Sequence, residues 1–204
     1  MATKYGFSDV REGLVEDLKG AYPTKWEDFE AARVLGEDIF GSPKPHPNAV
    51  LNLFLEQNIK FALPFAAYRA SIGGFSALIS DEPGTALPCL TLAAIIHGRE
   101  VTTGMTALAA HDIVYMRDLG VCPDGSCVLN AGIESAEGRR EALKRVFHVM
   151  ALKNKCDLLS PLQLGTLVCV NCANRLDKAH LVCRAGFFWN VLPSLFGFGS
   201  WERV

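Results

Sequence analysis

No stretch of this sequence stays apolar for long: the most extended run, Leu87 to Ile96, stops at His97-Gly98-Arg99-Glu100. A bilayer-spanning helix needs about 20 apolar residues, so no membrane crossing is expected. The first seven residues, Met1 to Phe7, have no apolar core of the kind that marks a secretory leader. The last four, Trp201 to Val204, are not a prenylation box. These absences place the expected location in the cytoplasm or nucleus. A surplus of charge is missing too, since 20 basic and 22 acidic residues leave a formal −2. A near-neutral chain has no general electrostatic hold on a polyanion, so nucleic acid is not an expected partner.

Motifs of the common enzymes are also missing. No glycine pattern fits a dinucleotide fingerprint or a phosphate loop, and no nucleophile elbow is present. No segment alternates polar and apolar residues with the turn chemistry of a hairpin. No repeat of fixed period is visible. An even cysteine count is lacking: the seven are Cys89, Cys122, Cys127, Cys156, Cys169, Cys172 and Cys183. An odd number without a leader argues against a disulfide framework and leaves buried thiols or metal ligands.

What is present is enough apolar material, 50% of residues, to bury a core without cross-links. Its spacing is helical. Phe7, Val10, Leu14 and Leu18 share one face over 5–20, with Gly20 as a stop. Thr24-Lys25-Trp26-Glu27 is a capping-box pattern opening a second helix. Three prolines in 41–47 force a loop. A helix follows from Asn48, with Val50, Leu51, Phe54 and Leu55 on one face and Asn58 near its end. Another runs from Leu63-Pro64 to Gly73-Gly74, where proline suits the first turn.

Residues 80–87 read as a turn. Pro88 opens an apolar helix that Gly98 interrupts, and 99–118 form the next, burying Met105, Leu108, Ile113, Tyr115 and Met116. Residues 120–132 are a loop. Residues 134–151 are amphipathic, with Arg139, Arg140, Lys144 and Arg145 outward and Leu143, Val146, Phe147 and Met150 inward. Pro161 starts a helix that carries Cys169 and Cys172 towards Phe196. The expectation is an all-α fold, an irregular bundle of about eight or nine helices. It forms a single domain over 1–204, with sub-boundaries near 41–47 and 120–132.

Several segments, taken in order, carry a resemblance. They are Lys4-Tyr5-Gly6-Phe7 with Ala21-Tyr22-Pro23-Thr24, then Ala49-Val50-Leu51-Asn52-Leu53, Asn58-Ile59 and Leu63-Pro64-Phe65-Ala66-Ala67-Tyr68. Ile96-His97-Gly98-Arg99-Glu100, Leu159-Ser160-Pro161, Val168-Cys169-Val170-Asn171-Cys172 and His180 follow. Phe188-Trp189-Asn190-Val191-Leu192-Pro193-Ser194-Leu195-Phe196-Gly197 and Trp201-Glu202 close the series. Together they resemble the helical region that follows the BTB/POZ domain of fungal BTB proteins. The resemblance covers nearly the whole chain and implies a protein-interaction or scaffold module with a protein partner. The BTB domain itself, which dimerises and can dock on cullin scaffolds, is not in this chain, so tight cullin binding is not expected.

Cys169-x-x-Cys172 is the strongest chemical feature, because one helical turn can bring two sulfurs to the same ion. Cys122 and Cys127 form a looser pair, and His180 lies eight residues beyond Cys172. Buried unliganded thiols are the first reading of these cysteines. The second is a structural zinc site with ligands drawn from Cys122, Cys127, Cys169, Cys172 and His180. Cys89, among Leu87, Leu90 and Leu92, is expected to be an inert core thiol, and Cys156 and Cys183 have no partner at ligand spacing.

Six aromatics lie in the last eighteen residues, of which Trp189, Phe196 and Trp201 are candidate anchors for a partner. Folding back of this segment onto the core is the competing reading. No catalytic residue is assigned. The alternatives are a metal-dependent hydrolase using His97, His111 and Asp112, and a small zinc-stabilised nucleic-acid binder. The second would use the basic third of the chain, where residues 138–204 hold 10 basic and 4 acidic side chains.

Overall fold

The computed structural model describes residues 8–35, 45–73, 75–80, 82–112, 122, 135–148, 157–160, 162 and 168–203. The fold is all-α, as the periodicity predicts. The described residues form nine helices and no strand. These are α1 (Ser8–Ala21), α2 (Trp26–Leu35), α3 (Pro47–Glu56), α4 (Leu63–Ile72), α5 (Phe75–Leu78), α6 (Cys89–His111), α7 (Ala136–His148), α8 (Val170–Asn190) and α9 (Leu192–Leu195). Single 3-10 turns cover Lys60–Ala62 and Trp201–Arg203. None of the described helices is long and apolar enough to cross a membrane.

The chain divides into two compact units, one of Met1–His97 with Trp189–Val204, the other of Gly98–Phe188. The division between the units falls inside α6 and inside α8. The loop expected over 41–44 and nearly all of 120–132 lie outside the described residues.

In the first unit α4 is buried almost all round, with Phe65, Ala66, Ala67, Tyr68 and Ala70 each at 7% exposure or less. It packs against α3 and α9. The aromatic rings of the core meet edge to face: Tyr22 on Phe54 at 4.8 Å, Tyr22 on Phe65 at 6.0 Å, and Phe29 on Phe65 at 5.6 Å between centroids. Such pairs add stability beyond the area they bury. Burial pushes the Tyr22 hydroxyl up to about 12 despite the lowering influence of Arg69.

The end of α3 is a Schellman motif. Asn58 takes φ +53°, Ile59 N donates to Phe54 O at 2.9 Å and Asn58 N to Leu55 O at 3.3 Å. Asparagine tolerates this left-handed backbone better than most residues, which is why it marks the helix end in the sequence. Leu14, expected inward, is 57% exposed. Phe196 is 6% exposed and belongs to this core, so its ring is not a surface anchor.

The helix α6 corrects two expectations. It runs unbroken through Gly98, and Leu108, expected to be buried, is 69% exposed while Met105 is half-buried. The buried line in the second unit is instead Gly98, Thr102, Thr106 and Ala110, one residue every four. Thr102 donates its hydroxyl to Gly98 O at 2.7 Å, and Thr106 to Thr102 O at 2.9 Å. With the hydroxyls satisfied inside the helix, the threonines present methyl groups to the core. Cys89 opens α6 exposed, next to Leu90 at 87% exposure, so it is not a core thiol.

On α7, Arg140 and Lys144 are exposed and Ala142 and Val146 buried, while Leu143 and Phe147 are half-buried. The inward line is thus centred on 142 and 146. The side chains of Arg139 and Arg145, and Met150, lie outside what is described. The helix with the cysteine pair starts at Val170, not at Pro161, and ends at Asn190 before α9.

The polar node of the first unit is Asn48, 1% exposed, in the first turn of α3. Its backbone N–H donates to Nδ1 of His46, which caps the helix at 3.2 Å. Its side-chain Nδ2 reaches Ala77 O at 3.0 Å, Thr85 O at 3.2 Å and Leu78 O at 3.4 Å. One turn on, Asn52 Nδ2 donates to Gly84 O at 3.0 Å and Ala86 O at 2.9 Å. Two amides on one helix face therefore hold the connection between α5 and α6. Asn48→Ala strands buried carbonyls, each costing about 1–3 kcal/mol. We expect it to lower unfolding free energy by roughly 3 kcal/mol, and the more exposed Asn52→Ala by roughly 1 kcal/mol. Urea unfolding of the two variants checks the order; equal losses would contradict the role of Asn48.

Candidate metal centre

Three cysteines from two distant parts of the chain converge in the second unit. The sulfurs of Cys122, Cys169 and Cys172 all lie within 4.8 Å of one another, and Cys122 Sγ is 3.4 Å from Cys169 Sγ. Cys122 is 3% and Cys172 5% exposed, while Cys169 is half-buried. The start of α8 explains two of these positions. Ala173 N donates to Cys169 O at 2.9 Å, which is the first turn-closing bond of the helix. Cys169 is therefore the N-cap residue and Cys172 the third helical residue, an arrangement that puts both side chains over the first turn. Cys122 completes the group from 47 residues away.

The donor set decides what this group can hold. Thiolates at 2.3 Å from a tetrahedral zinc ion sit roughly 3.7 Å apart, and the Cys122–Cys169 pair at 3.4 Å is close to that spacing. Sulfur-only ligation suits zinc and other soft ions and excludes magnesium and calcium, which take oxygen. Two thiolates at 3.4 Å repel each other by about 5 kcal/mol at an effective dielectric of 20. The cluster is therefore stable as thiols or as thiolates around a cation, not as bare anions.

Of the other proposed ligands, Cys127 lies outside the described residues. His180 is eight positions from Cys172 on the same helix, roughly 12 Å along its axis, and is not in the thiol group. It is instead a core residue at 1% exposure whose Nε2 has no hydrogen-bond partner among the described residues. Four residues on, Arg184 is 4% exposed and donates from Nε to Leu159 O at 2.8 Å. That carbonyl belongs to a turn which Asp157 ties together: Oδ1 accepts from Leu159 N at 3.0 Å and Ser160 N at 3.2 Å, and Oδ2 from Ser160 Oγ at 2.7 Å. The sequence does not signal Arg184 as an anchor, because arginine is rarely buried. Cys183 Sγ donates to Asp112 Oδ2 at 3.7 Å, and Cys156 is outside the described residues.

The hydrolase residues are not brought together. His97 and His111 both lie exposed on α6, fourteen positions apart, which is roughly 21 Å along a helix. Asp112 contacts Cys183 instead. On α7, Glu137 and Glu141 share the exposed surface with Arg140 and Lys144, and Lys144 Nζ lies 3.7 Å from Glu141 Oε2. The other basic side chains of that segment, Arg139, Arg145, Lys153 and Lys155, lie outside what is described. Of the aromatic anchors, Trp189 is 42% exposed, Trp201 half-buried and Phe196 buried. Comparison of the chain with family models, curated proteins and solved structures finds no significant match.

Burial, reinforced by the positive charge of Arg184, lowers the His180 imidazole from 6.5 to about 4. Between those values the unfolded chain binds a proton that the folded chain excludes. Stability is thus unaffected above pH 6.5 and falls as the pH drops towards 4, by on the order of 3 kcal/mol at 1.36 kcal/mol per pH unit. His180→Leu is expected to remove this component. Urea midpoints of both proteins from pH 7.5 to 4.5 test it; parallel curves would contradict the buried neutral histidine.

Proposed function

We propose that the chain is a non-catalytic helical interaction module whose Gly98–Phe188 unit is fastened by a structural zinc ion. The observation that carries this reading is the sulfur-only donor set formed by Cys122, Cys169 and Cys172. Sites built of cysteine alone, and largely buried, are typical of structural zinc, whereas catalytic zinc is held mainly by histidine and carboxylate with a position left for water. Cys127, five residues beyond Cys122 in the sequence, lies outside the described residues and is the fourth ligand that the sequence offers. The ion, when bound, would supply cross-linking. The protein's part is to place Cys169 and Cys172 on the first turn of α8 and to hold Cys122 against them.

The interaction half of the reading draws on the resemblance to the region after fungal BTB domains and on the surface. Trp189 keeps 42% of its area in solvent, and tryptophan is the residue most enriched at the energetic centres of interfaces. Affinity capture from the native host, followed by reconstitution with the purified candidate partner, tests it. Trp189→Ala is expected to weaken that complex at least about tenfold, a loss typical of a central anchor, with the helical spectrum unchanged. Metal-dependent phosphoesterase activity abolished by His111→Ala would replace this reading with the hydrolase.

For the zinc half, we expect one equivalent of zinc in protein purified without chelator. Cys172→Ser and Cys127→Ser should each reduce it. Removing the ion should lower the melting temperature by about 10 °C or more, since structural zinc contributes several kcal/mol to folding. Elemental analysis beside thermal unfolding decides this; full stability in chelator would leave the cysteines as ordinary apolar thiols.

A further inference from the structure

We propose that Cys169 and Cys122 are a site of oxidative modification, at which hydrogen peroxide converts the thiolate pair into a disulfide and discharges the ion. The inference rests on the zinc reading of the same cluster and concerns how that site is regulated.

Access and distance assign the roles. Cys122 and Cys172 are 3% and 5% exposed, whereas Cys169 is half-buried and the most open of the three. A peroxide molecule arriving from solvent meets the Cys169 sulfur first. The Cys122 sulfur waits 3.4 Å behind it, little more than about 1 Å beyond the length of a disulfide bond. A small side-chain rotation brings them together. Metal ligation keeps both sulfurs as thiolates, the form that reacts with peroxide and with sulfenic acid.

The first step forms a bond between Cys169 sulfur and one peroxide oxygen and breaks the O–O bond. The departing hydroxide takes a proton and leaves as water, and Cys169 becomes a sulfenic acid. In the second step the Cys122 thiolate attacks that sulfur. The S–S bond forms, the S–O bond breaks, and the second hydroxide takes a proton. Two thiolates, one hydrogen peroxide and two protons have become one disulfide and two waters. The pair has given up two electrons and the peroxide has gained them. Two of the three described donors are then lost to the ion, which leaves. The segment at Cys122 stays tied to the start of α8, now by a covalent bond. A dithiol reductant together with zinc reverses the change.

The experiment uses the metal-loaded protein. Its zinc content is measured first. It is then treated with stoichiometric hydrogen peroxide while a metallochromic indicator follows released zinc, and the remaining thiols are alkylated for peptide mass spectrometry. The expected result is one zinc released per disulfide, a cross-link between the peptides of Cys122 and Cys169, and recovery of both with dithiothreitol and zinc. Cys89→Ser and Cys183→Ser should respond as the natural protein does. A cross-link from Cys169 to Cys172 or Cys127, over-oxidation of Cys169 without a cross-link, or retention of the ion would each overturn the proposal. A protein free of metal at the outset would sink the zinc reading instead, and the cross-link map would still judge the disulfide.

Discussion

Three sulfurs packed within 4.8 Å of one another are the constraint around which the second unit is organised. As bare thiolates they repel strongly, so the arrangement needs either protons or a cation at its centre. The sulfurs meet at the start of α8. Cys169 sits at the N-cap and Cys172 in the first turn, and Cys122 joins them from 47 positions away. From that start the buried face of α8 continues through Cys172, Leu176, His180 and Arg184, roughly one residue per turn. One helix thus carries the thiol cluster at its head and the Arg184 anchor to the Asp157–Ser160 turn further along.

This face shows why an interior can be built with polar residues. Arg184 buries its charge but gives a hydrogen bond to Leu159 O, and Thr102 and Thr106 return their hydroxyls to their own helix. In the first unit Asn48 does the same work across three carbonyls. His180 is the exception, with Nε2 lacking a partner among the described residues, and it answers by staying neutral well below the usual imidazole range. Among the described residues, each of these buried polar groups is either satisfied or uncharged, as the desolvation penalty demands.

The same polar interior explains what could and could not be read from the sequence. Helices with an apolar face were legible: α3 with Val50, Leu51 and Phe54, the proline-initiated α4, and α7 with Val146 inward and Arg140 outward. Asn58 was legible as a helix end because few residues take its backbone angle. The inward face of α6 was not, because Gly98, Thr102, Thr106 and Ala110 carry little hydrophobicity while Leu108 and Leu90, which do, face solvent. Gly98 did mark a boundary, but one between packing units within a continuous helix. At the cluster, the Cys-x-x-Cys spacing revealed Cys169 and Cys172, and Cys122 was among the few partners open to them. His180 looked like a ligand by residue type alone; its distance along the helix from Cys172 and its burial make it core.

The proposed zinc site at Cys122, Cys169 and Cys172 is tested most directly by the shell around the metal itself. Zinc K-edge X-ray absorption of the protein as purified measures that shell. The account predicts a first shell of sulfur alone, or sulfur in clear majority, at about 2.3 Å. A shell dominated by nitrogen or oxygen at about 2.0–2.1 Å, or no zinc to measure, would contradict it.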